Sequence, residues 1–271
     1  MLTSEADKLT KVIVSTPKKE YYNLDNLKAH NIHEVADQKV AVDQHNQLKM
    51  ILAEFGAEVI DLPELANHPN SVFTRDAALC TPQGYIELIP GIDTRQAEGG
   101  WMALALDQIG EPCAGKIRFP GCVDGGDVVL FNKLAFIGLS GRTNKEGARQ
   151  LSTILETMGY ESRLVSLPDS ILHLDKVLMP VNPENIIVCR NIVFGSVLDG
   201  VEFFPIEFNE SSTANIICLG DNNVIIGDSN TGAIECLEKQ NVTIHKLAIS
   251  EFVKGAGGPN CLIMPVTRIN I

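Results

Sequence analysis

The sequence predicts an α/β fold in which five similar units close into a ring, an α/β propeller with five-fold pseudosymmetry. The first observation is a recurring unit, in which a polar residue precedes a short apolar strand, a turn, a second apolar strand and a more helical stretch. The second is the spacing, because the unit starts at Asp76, Asp127, Asp175, Asn215 and Cys261 are 51, 48, 40 and 46 residues apart. The third is that the last unit stops after a single strand, CLIMPVTR.

The turns and helices within the units follow the expected residue chemistry. Turn residues separate the paired strands at Pro82 to Gly84, at Asn132 and Lys133, and at Asp221 to Asn223, so these strands are predicted to form hairpins. Helices are predicted from Arg95 to Ile109, from Thr143 to Met158 and from Thr231 to Lys239, with Thr143 and Glu146 forming a capping box. Outer strands follow at residues 162–167 and 242–247.

The N-terminal residues supply the pieces that the fifth unit lacks. They contain a strand from Lys11 to Ser15, a long amphipathic helix from Glu34 to Phe55 and a strand from Ala57 to Leu62. The two chain ends are therefore predicted to seal the ring, with residues 1–271 forming a single domain. In such a ring the starts of the inner strands converge on the central axis, where we expect the functional site.

Composition and charge narrow the class of protein. A net charge of -12 and a pI near 4.9 argue against nucleic acid or an anionic membrane as a partner and suit a cationic small molecule. The N-terminus has no apolar signal region, which favours a cytoplasmic location. The seven cysteines form no CxxC pair, so neither a disulfide framework nor a metal site is expected, and no cofactor is predicted. A homodimer is left open.

The unit starts bring together residues that can do nucleophilic chemistry. They are Cys261, His173 and three acidic groups, namely Asp76, Asp124 with Asp127, and Asp175. A cysteine attacks as its thiolate, and a histidine can protonate a leaving amine and then activate water. Crowded carboxylates require a cation to share, and a guanidinium pairs with carboxylates through its planar N–H fork. The set therefore predicts a site for a guanidinium group.

Five short strings then reveal a family resemblance over essentially the full chain. PNSVFTRD, VDGGDVVLF, GLSGRTN, ILHLDKV and GGPNC occur in the order seen in the guanidino-group modifying superfamily of the pentein fold, which includes arginine deiminase, dimethylarginine dimethylaminohydrolase and the amidinotransferases. The resemblance implies a cysteine-dependent hydrolase that cleaves a C–N bond of arginine or N-methylated arginine through a covalent thiouronium. The products would be citrulline with ammonia or a methylamine.

The resemblance also implies a role for each residue of the candidate site. Cys261 is similar to the family nucleophile and His173 to the acid and base, while Asp124 stands where the family usually has glutamate. Asp76 and Asp175 resemble the pair that holds the guanidinium, and Arg95 and Arg142 resemble the arginines that bind the substrate's carboxylate. The remaining residues assigned to substrate binding are Asn70 and Phe73, both in the PNSVFTRD string.

Departures from the family pattern bear on the substrate and the reaction. Dimethylarginine enzymes usually have an acidic residue in place of Asn70 and none in place of Asp175, so these positions favour free arginine. The arginine five residues before the cysteine in deiminases is replaced by Ala256. Three alternatives are kept: amidino transfer to an amine, dihydrolysis of arginine to ornithine, and arginine binding without catalysis.

Several residues also have structural interpretations. Asp127 is as well suited to capping the Gly-Gly turn as to catalysis. Arg75 is predicted to be a structural ion-pair partner, and the six other cysteines to be small core residues. A lid over the site is predicted within Thr16 to Asn31.

Overall fold

Five three-stranded sheets surround a common axis in the computed structural model, which describes residues 2–270. The strands, in chain order, are β1 (Lys8–Ser15), β2 (Glu58–Leu62), β3 (Ala78–Thr81), β4 (Gly84–Glu87), β5 (Cys113–Lys116), β6 (Val128–Phe131), β7 (Leu134–Leu139), β8 (Glu161–Ser166), β9 (Leu178–Pro180), β10 (Asn185–Cys189), β11 (Glu202–Ile206), β12 (Ile216–Gly220), β13 (Asn223–Gly227), β14 (Thr243–Leu247) and β15 (Met264–Ile269). The helices are α1 (Gln38–Glu54), α2 (Ala97–Gln108), α3 (Lys145–Thr157), α4 (Thr231–Lys239) and α5 (Ser250–Val253).

Every sheet has the same internal order. An inner strand (β3, β6, β9, β12 or β15) pairs antiparallel with a middle strand, and an outer strand pairs parallel with the other edge of that middle strand. Burial follows this order, because the inner strands are almost entirely buried and the outer strands are mostly half-buried or exposed. Apolar residues of neighbouring sheets pack between the blades. The predicted α/β propeller is therefore confirmed.

The fifth sheet is assembled from both ends of the chain, as the incomplete last unit predicted. Strand β15 pairs antiparallel with β1, and β1 pairs parallel with β2. Helix α1 connects β1 to β2, in the way that a helix connects the middle and outer strands of most other blades. In the third blade a 3-10 turn, Gly195–Leu198, takes the place of that helix.

The predicted turns are confirmed, whereas one predicted helix cap is wrong. Asn132, Asp221 and Asn222 have positive φ angles of 54°, 50° and 58°, as tight hairpin turns require. The N-cap of α3 is Asn144, whose side chain accepts a hydrogen bond from the backbone N–H of Gly147. Thr143 does not cap this helix, because its hydroxyl accepts from the backbone N–H of Asp124 and so ties the helix entry to the site.

Across residues 2–270, no helix combines the length and the apolar character needed to cross a lipid bilayer.

Candidate active site

Short 3-10 turns place the predicted site residues at the same end of the inner strands. Four inner strands follow the turns Thr74–Asp76, Gly125–Asp127, Leu174–Lys176 and Asn260–Leu262. These turns contact one another around the axis, although they are far apart in sequence. The fifth inner strand, β12, is preceded directly by Asn215, which reaches the same region.

Cys261 is 5% exposed, and its sulfur faces polar groups from two other blades. The Sγ atom lies 3.8 Å from Asp175 Oδ2, 3.8 Å from Lys176 Nζ and 3.7 Å from Asn215 Nδ2. Burial raises the pKa of the thiol to about 11, Lys176 opposes this increase, and Asp175 and Asp76 add to it. The resting side chain is therefore a neutral thiol at neutral pH, and a cation beside it favours ionisation.

His173 is held between two acidic residues. Its Nε2 lies 2.9 Å from Asp124 Oδ2, and its Nδ1 lies 3.9 Å from Asp76 Oδ1. Burial lowers the pKa of the imidazole, but Asp76, Asp124 and Asp127 outweigh burial and raise the pKa to about 9. The imidazole is therefore protonated at neutral pH and can deliver a proton to a leaving amine.

Asp76 is paired with Arg95, which the resemblance assigns to the substrate's carboxylate. Arg95 Nη1 donates to Asp76 Oδ2 at 2.5 Å, and Nε and Nη2 donate to Glu98 Oε2 at 2.9 and 2.6 Å. Burial opposes ionisation of Asp76, yet His173 and Arg95 hold the pKa of its carboxyl well below its usual range. Burial raises the pKa of Glu98 to about 7, although Arg95 acts to lower it. One buried guanidinium is therefore shared by two buried carboxylates.

The other predicted binding residues surround the same space. Arg142 Nη1 lies 3.6 Å from Asp124 Oδ2, and the Phe73 carbonyl accepts a hydrogen bond from Arg95. Asn70 Nδ2 donates to the carbonyl of His30, and Asn70 Oδ1 is buried without a hydrogen-bond partner among residues 2–270.

Asp127 and Arg75 both have structural roles, but the prediction that Asp127 caps the Gly-Gly turn is wrong, because the backbone N–H of Gly126 donates to Asp76 instead. Asp127 Oδ1 accepts from the backbone N–H of Leu174, and its Oδ2 accepts from the Ser140 hydroxyl, so Asp127 fastens two turns together. Arg75 forms a buried ion pair of 2.7 Å with Glu5. The prediction of a structural ion pair at Arg75 is confirmed.

The site is closed around a cavity of about 20 Å³. The residues that line it include Cys261, His173, Asp76, Asn70, Phe73, Arg95 and Arg142, together with His30 and Asn31. A space of this size is comparable to a single water molecule, so a substrate requires movement of the surrounding chain. The part of the chain that contributes His30 and Asn31 is held by hydrogen bonds from Asn70 to the His30 carbonyl and from Thr94 to the Ala29 carbonyl.

A larger cavity of about 620 Å³ adjoins the site. It shares Asn31, Leu172, Ala256 and Gly257 with the small cavity, and Lys176 and Asn215 are in its wall.

One cluster has a geometry that can hold a metal ion. Ligand atoms of Asp76, Asp124 and His173 all lie within 4.8 Å of one another. Arg95 and Arg142 already supply positive charge to the two carboxylates, so the acids are neutralised without an ion.

Four polar residues of the site were not predicted as functional. Lys176 directly follows Asp175, and Asn260 directly precedes Cys261. Adjacency to a predicted site residue was therefore the available signal for both. Asn215 stands at a unit start, and its side chain contacts Cys261 Sγ and the backbone N–H of Asn260. Glu98 had no signal beyond its position three residues after Arg95, because its burial depends on the packing of α2.

The five-bladed fold and the cysteine, histidine and carboxylates at its axis define a guanidino-group modifying enzyme of the pentein class. The family described as N,N dimethylarginine dimethylhydrolase, eukaryotic, matches residues 17–196, and the arginine deiminase family matches residues 207–268. Because the first match spans more than half of the chain, the protein belongs to the dimethylarginine dimethylaminohydrolase family. It is a guanidino hydrolase of that type.

Relatives and solved structures agree with this membership. The dimethylarginine dimethylaminohydrolase of Pseudomonas aeruginosa is 28% identical over 251 residues, covering 93% of this chain and 97% of that protein. A solved structure of the P. aeruginosa enzyme, a cysteine-to-serine variant complexed with citrulline, has a TM-score of 0.82 at 26% identity and covers 95% of this chain and 99% of its own. The N-terminal domain of ArgZ, a cyanobacterial arginine dihydrolase, has a TM-score of 0.82 at 17% identity, covering 97% and 98% of the two chains, and supports the fold alone.

Proposed function

We propose that the protein hydrolyses the guanidinium group of free arginine, with Cys261 as nucleophile and His173 as acid and base, giving citrulline and ammonia. The observation that carries this proposal is a set of buried acceptors that lack donors. Among residues 2–270, Asp175 Oδ1, Asn70 Oδ1 and Asn260 Oδ1 are buried without a hydrogen-bond partner. Unpaired buried acceptors are costly, and an unmethylated arginine side chain brings five N–H donors in one plane.

The chemistry follows from the groups around Cys261. The positive charge of a bound guanidinium favours the thiolate, which adds to the guanidinium carbon. His173 then gives its proton to one terminal nitrogen, the C–N bond breaks, and ammonia leaves a thiouronium on Cys261. In the second half His173 takes a proton from water, and the hydroxide adds to the same carbon. The C–S bond then breaks, the hydroxyl proton passes through water to the departing sulfur, and citrulline leaves with the thiol restored.

Substrate entry requires Arg95 to leave Asp76. We propose that the substrate's guanidinium replaces that of Arg95 on Asp76, so that one charge-assisted pair is exchanged for another. Glu98 keeps Arg95 close to the site during the exchange, because two nitrogens of Arg95 already donate hydrogen bonds to Glu98. Arg95 then turns with Arg142 toward the substrate's α-carboxylate.

A second candidate substrate is an N-methylated arginine, which the family match favours. Two methyl groups on the nitrogen facing Asp175 would remove its N–H donors and leave Oδ1 of this 0% exposed residue unpaired. Free arginine is therefore expected to be the better substrate. Monomethylarginine is expected to be intermediate, because it keeps one donor on the substituted nitrogen.

Product analysis with arginine, monomethylarginine and asymmetric dimethylarginine tests the proposal. We expect citrulline from arginine, and no turnover by Cys261→Ala, whereas Cys113→Ala, which alters an exposed cysteine, keeps wild-type turnover. Full turnover by Cys261→Ala contradicts the proposal. Ornithine as the product would identify a dihydrolase. A new guanidino compound formed from an added amine would identify amidino transfer. Tight arginine binding without turnover would identify a binding protein.

A further inference from the structure

The ammonium group of Lys176 has a place in the site that the reaction described above does not explain. Its Nζ lies 3.8 Å from Cys261 Sγ. Among residues 2–270 it forms no ion pair with a carboxylate within 4.0 Å, whereas several surface lysines do. Among residues 2–270 the sulfur is therefore its hydrogen-bond partner, although Asp175 directly precedes it in the chain.

The fold determines the position of Lys176, which differs in this respect from a flexible surface lysine. It ends the 3-10 turn Leu174–Lys176, whose first two residues are fully buried between the inner strands. Its backbone is held on both sides, since its N–H donates to the carbonyl of His173 and its carbonyl accepts from the N–H of Ala214. The same turn that presents Asp175 therefore also presents Lys176 to the sulfur.

The charged groups that face Cys261 come from several blades. Asp76 comes from the first blade, and His173, Asp175 and Lys176 come from the third; Arg95 and Arg142 line the small cavity. Asp175 and Asp76 raise the pKa of the thiol, whereas Lys176 lowers it. Burial acts to lower the pKa of Lys176, but the ionised sulfur of Cys261 and the carboxylate of Asp175 outweigh burial and raise it, so the ammonium and the thiolate stabilise each other.

We propose that Lys176 is a further catalytic residue, whose ammonium stabilises the sulfur of Cys261 as a thiolate both before attack and when the thiouronium intermediate releases it. The thiol proton passes to water in the adjoining 620 Å³ cavity, where Lys176 is in the wall, and no electron is transferred. The Asn215 amide, 3.7 Å from Sγ, is a second donor to the same thiolate. This inference rests on the proposed function only in taking Cys261 as the nucleophile.

The test compares Lys176→Met, which removes the charge, with Lys176→Arg, which keeps it. Lys246→Met is the surface control, because its partner Glu238 is also exposed. The rate of alkylation of Cys261 by iodoacetamide is measured against pH on substrate-free protein, with mass spectrometry separating Cys261 from the other six cysteines. We expect the midpoint of alkylation to rise by about one pH unit or more in Lys176→Met, so that the rate at neutral pH falls about tenfold.

Lys176→Arg and Lys246→Met are expected to keep a midpoint close to that of the wild type. A pH profile of kcat/KM provides the second measurement, and the limb that the Cys261 thiol sets should move with the alkylation midpoint. The inference is overturned if Lys176→Met folds and both curves keep their midpoints. It stands if the alkylation midpoint shifts while arginine proves not to be a substrate, because that result removes only the proposed substrate.

Discussion

The guanidinium of Arg95 donates a hydrogen bond of 2.5 Å to the carboxylate of Asp76, so two residues assigned to opposite ends of a bound arginine are bonded to each other. Arg95 is 3% exposed and is also bonded to Glu98, which is 1% exposed. Because one cation neutralises two buried acids, Arg95 contributes to the stability of the protein as well as to the proposed binding of substrate.

The first prediction concerns this buried network. Arg95→Met leaves Asp76 and Glu98 without their cation, and we expect the free energy of unfolding to fall by about 3–5 kcal/mol. Arg149→Met is a matched control, because Arg149 pairs with Glu146 at the same i, i+3 spacing on the exposed face of α3. Urea denaturation should show no measurable change for that control. Equal stability of the two variants would mean that Arg95 does not balance the buried acids.

The second prediction concerns the unpaired oxygen of Asp175. Asp175→Asn removes the charge that is proposed to hold a guanidinium nitrogen but keeps an oxygen that can accept from Asn260. We expect kcat/KM for arginine to fall about 10- to 100-fold, which corresponds to the roughly 1.5–3 kcal/mol of a charge-assisted hydrogen bond. Asp169→Asn, at the exposed rim of the larger cavity, serves as the control and should keep wild-type kinetics. An unchanged kcat/KM in Asp175→Asn would remove Asp175 from substrate binding.

The third prediction follows from the raised pKa of His173, which is about 9 compared with 6.5 for a free imidazole. A raised pKa means that the folded state holds the proton more tightly, so the stabilisation is fully present below pH 6.5 and is lost as pH rises through about 9. Its size is on the order of 3 kcal/mol. Denaturation of the wild type should show this loss over that window.

His173→Gln should lose most of this pH dependence, because glutamine does not titrate. The kcat of the wild type at saturating arginine, where the bound guanidinium favours the thiolate, should decline above about pH 9, as the imidazole loses the proton that it gives to the leaving amine. A wild-type stability curve that is parallel to that of His173→Gln would show that the histidine is not held as a cation.

The fourth prediction concerns the space beside His173. A methyl group at Gly126 would lie 2.7 Å from His173 Nδ1 and 3.0 Å from Asp76 Oδ1, so Gly126→Ala should displace the imidazole. We expect at least a tenfold loss of kcat and a loss of stability of about 1–3 kcal/mol. Gly100→Ala adds the same methyl group on helix α2, where no atom of residues 2–270 outside its chain neighbours and the adjacent helix backbone lies within 4 Å. That control should keep kcat and gain about 0.5–1 kcal/mol, since alanine favours a helix. A steady-state assay and a thermal melt of both variants provide the comparison. An unchanged kcat in Gly126→Ala would contradict the position of the His173 imidazole beside Gly126.

Much of the architecture could be predicted from local pattern. The repeated strand–turn–strand unit, the turn residues such as Asn132 and the missing half of the last unit together indicate a closed ring, because each is a property of a few adjacent residues. Convergence of Asp76, His173, Asp175 and Cys261 then follows from topology, since each lies immediately before an inner strand. The boundary at α3 was less accurate, because whether Thr143 or Asn144 caps the helix depends on the loop that carries Asp124.

The sequence alone determined the five-bladed ring and the residue types at its axis, because strand period, turn chemistry and unit spacing are local properties. Only the tertiary structure decided that Arg95 lies on Asp76, that Lys176 faces the sulfur of Cys261 and that the site is closed to about 20 Å³. The reason is that a long charged side chain can reach several partners from one backbone position, and packing from other blades selects among them.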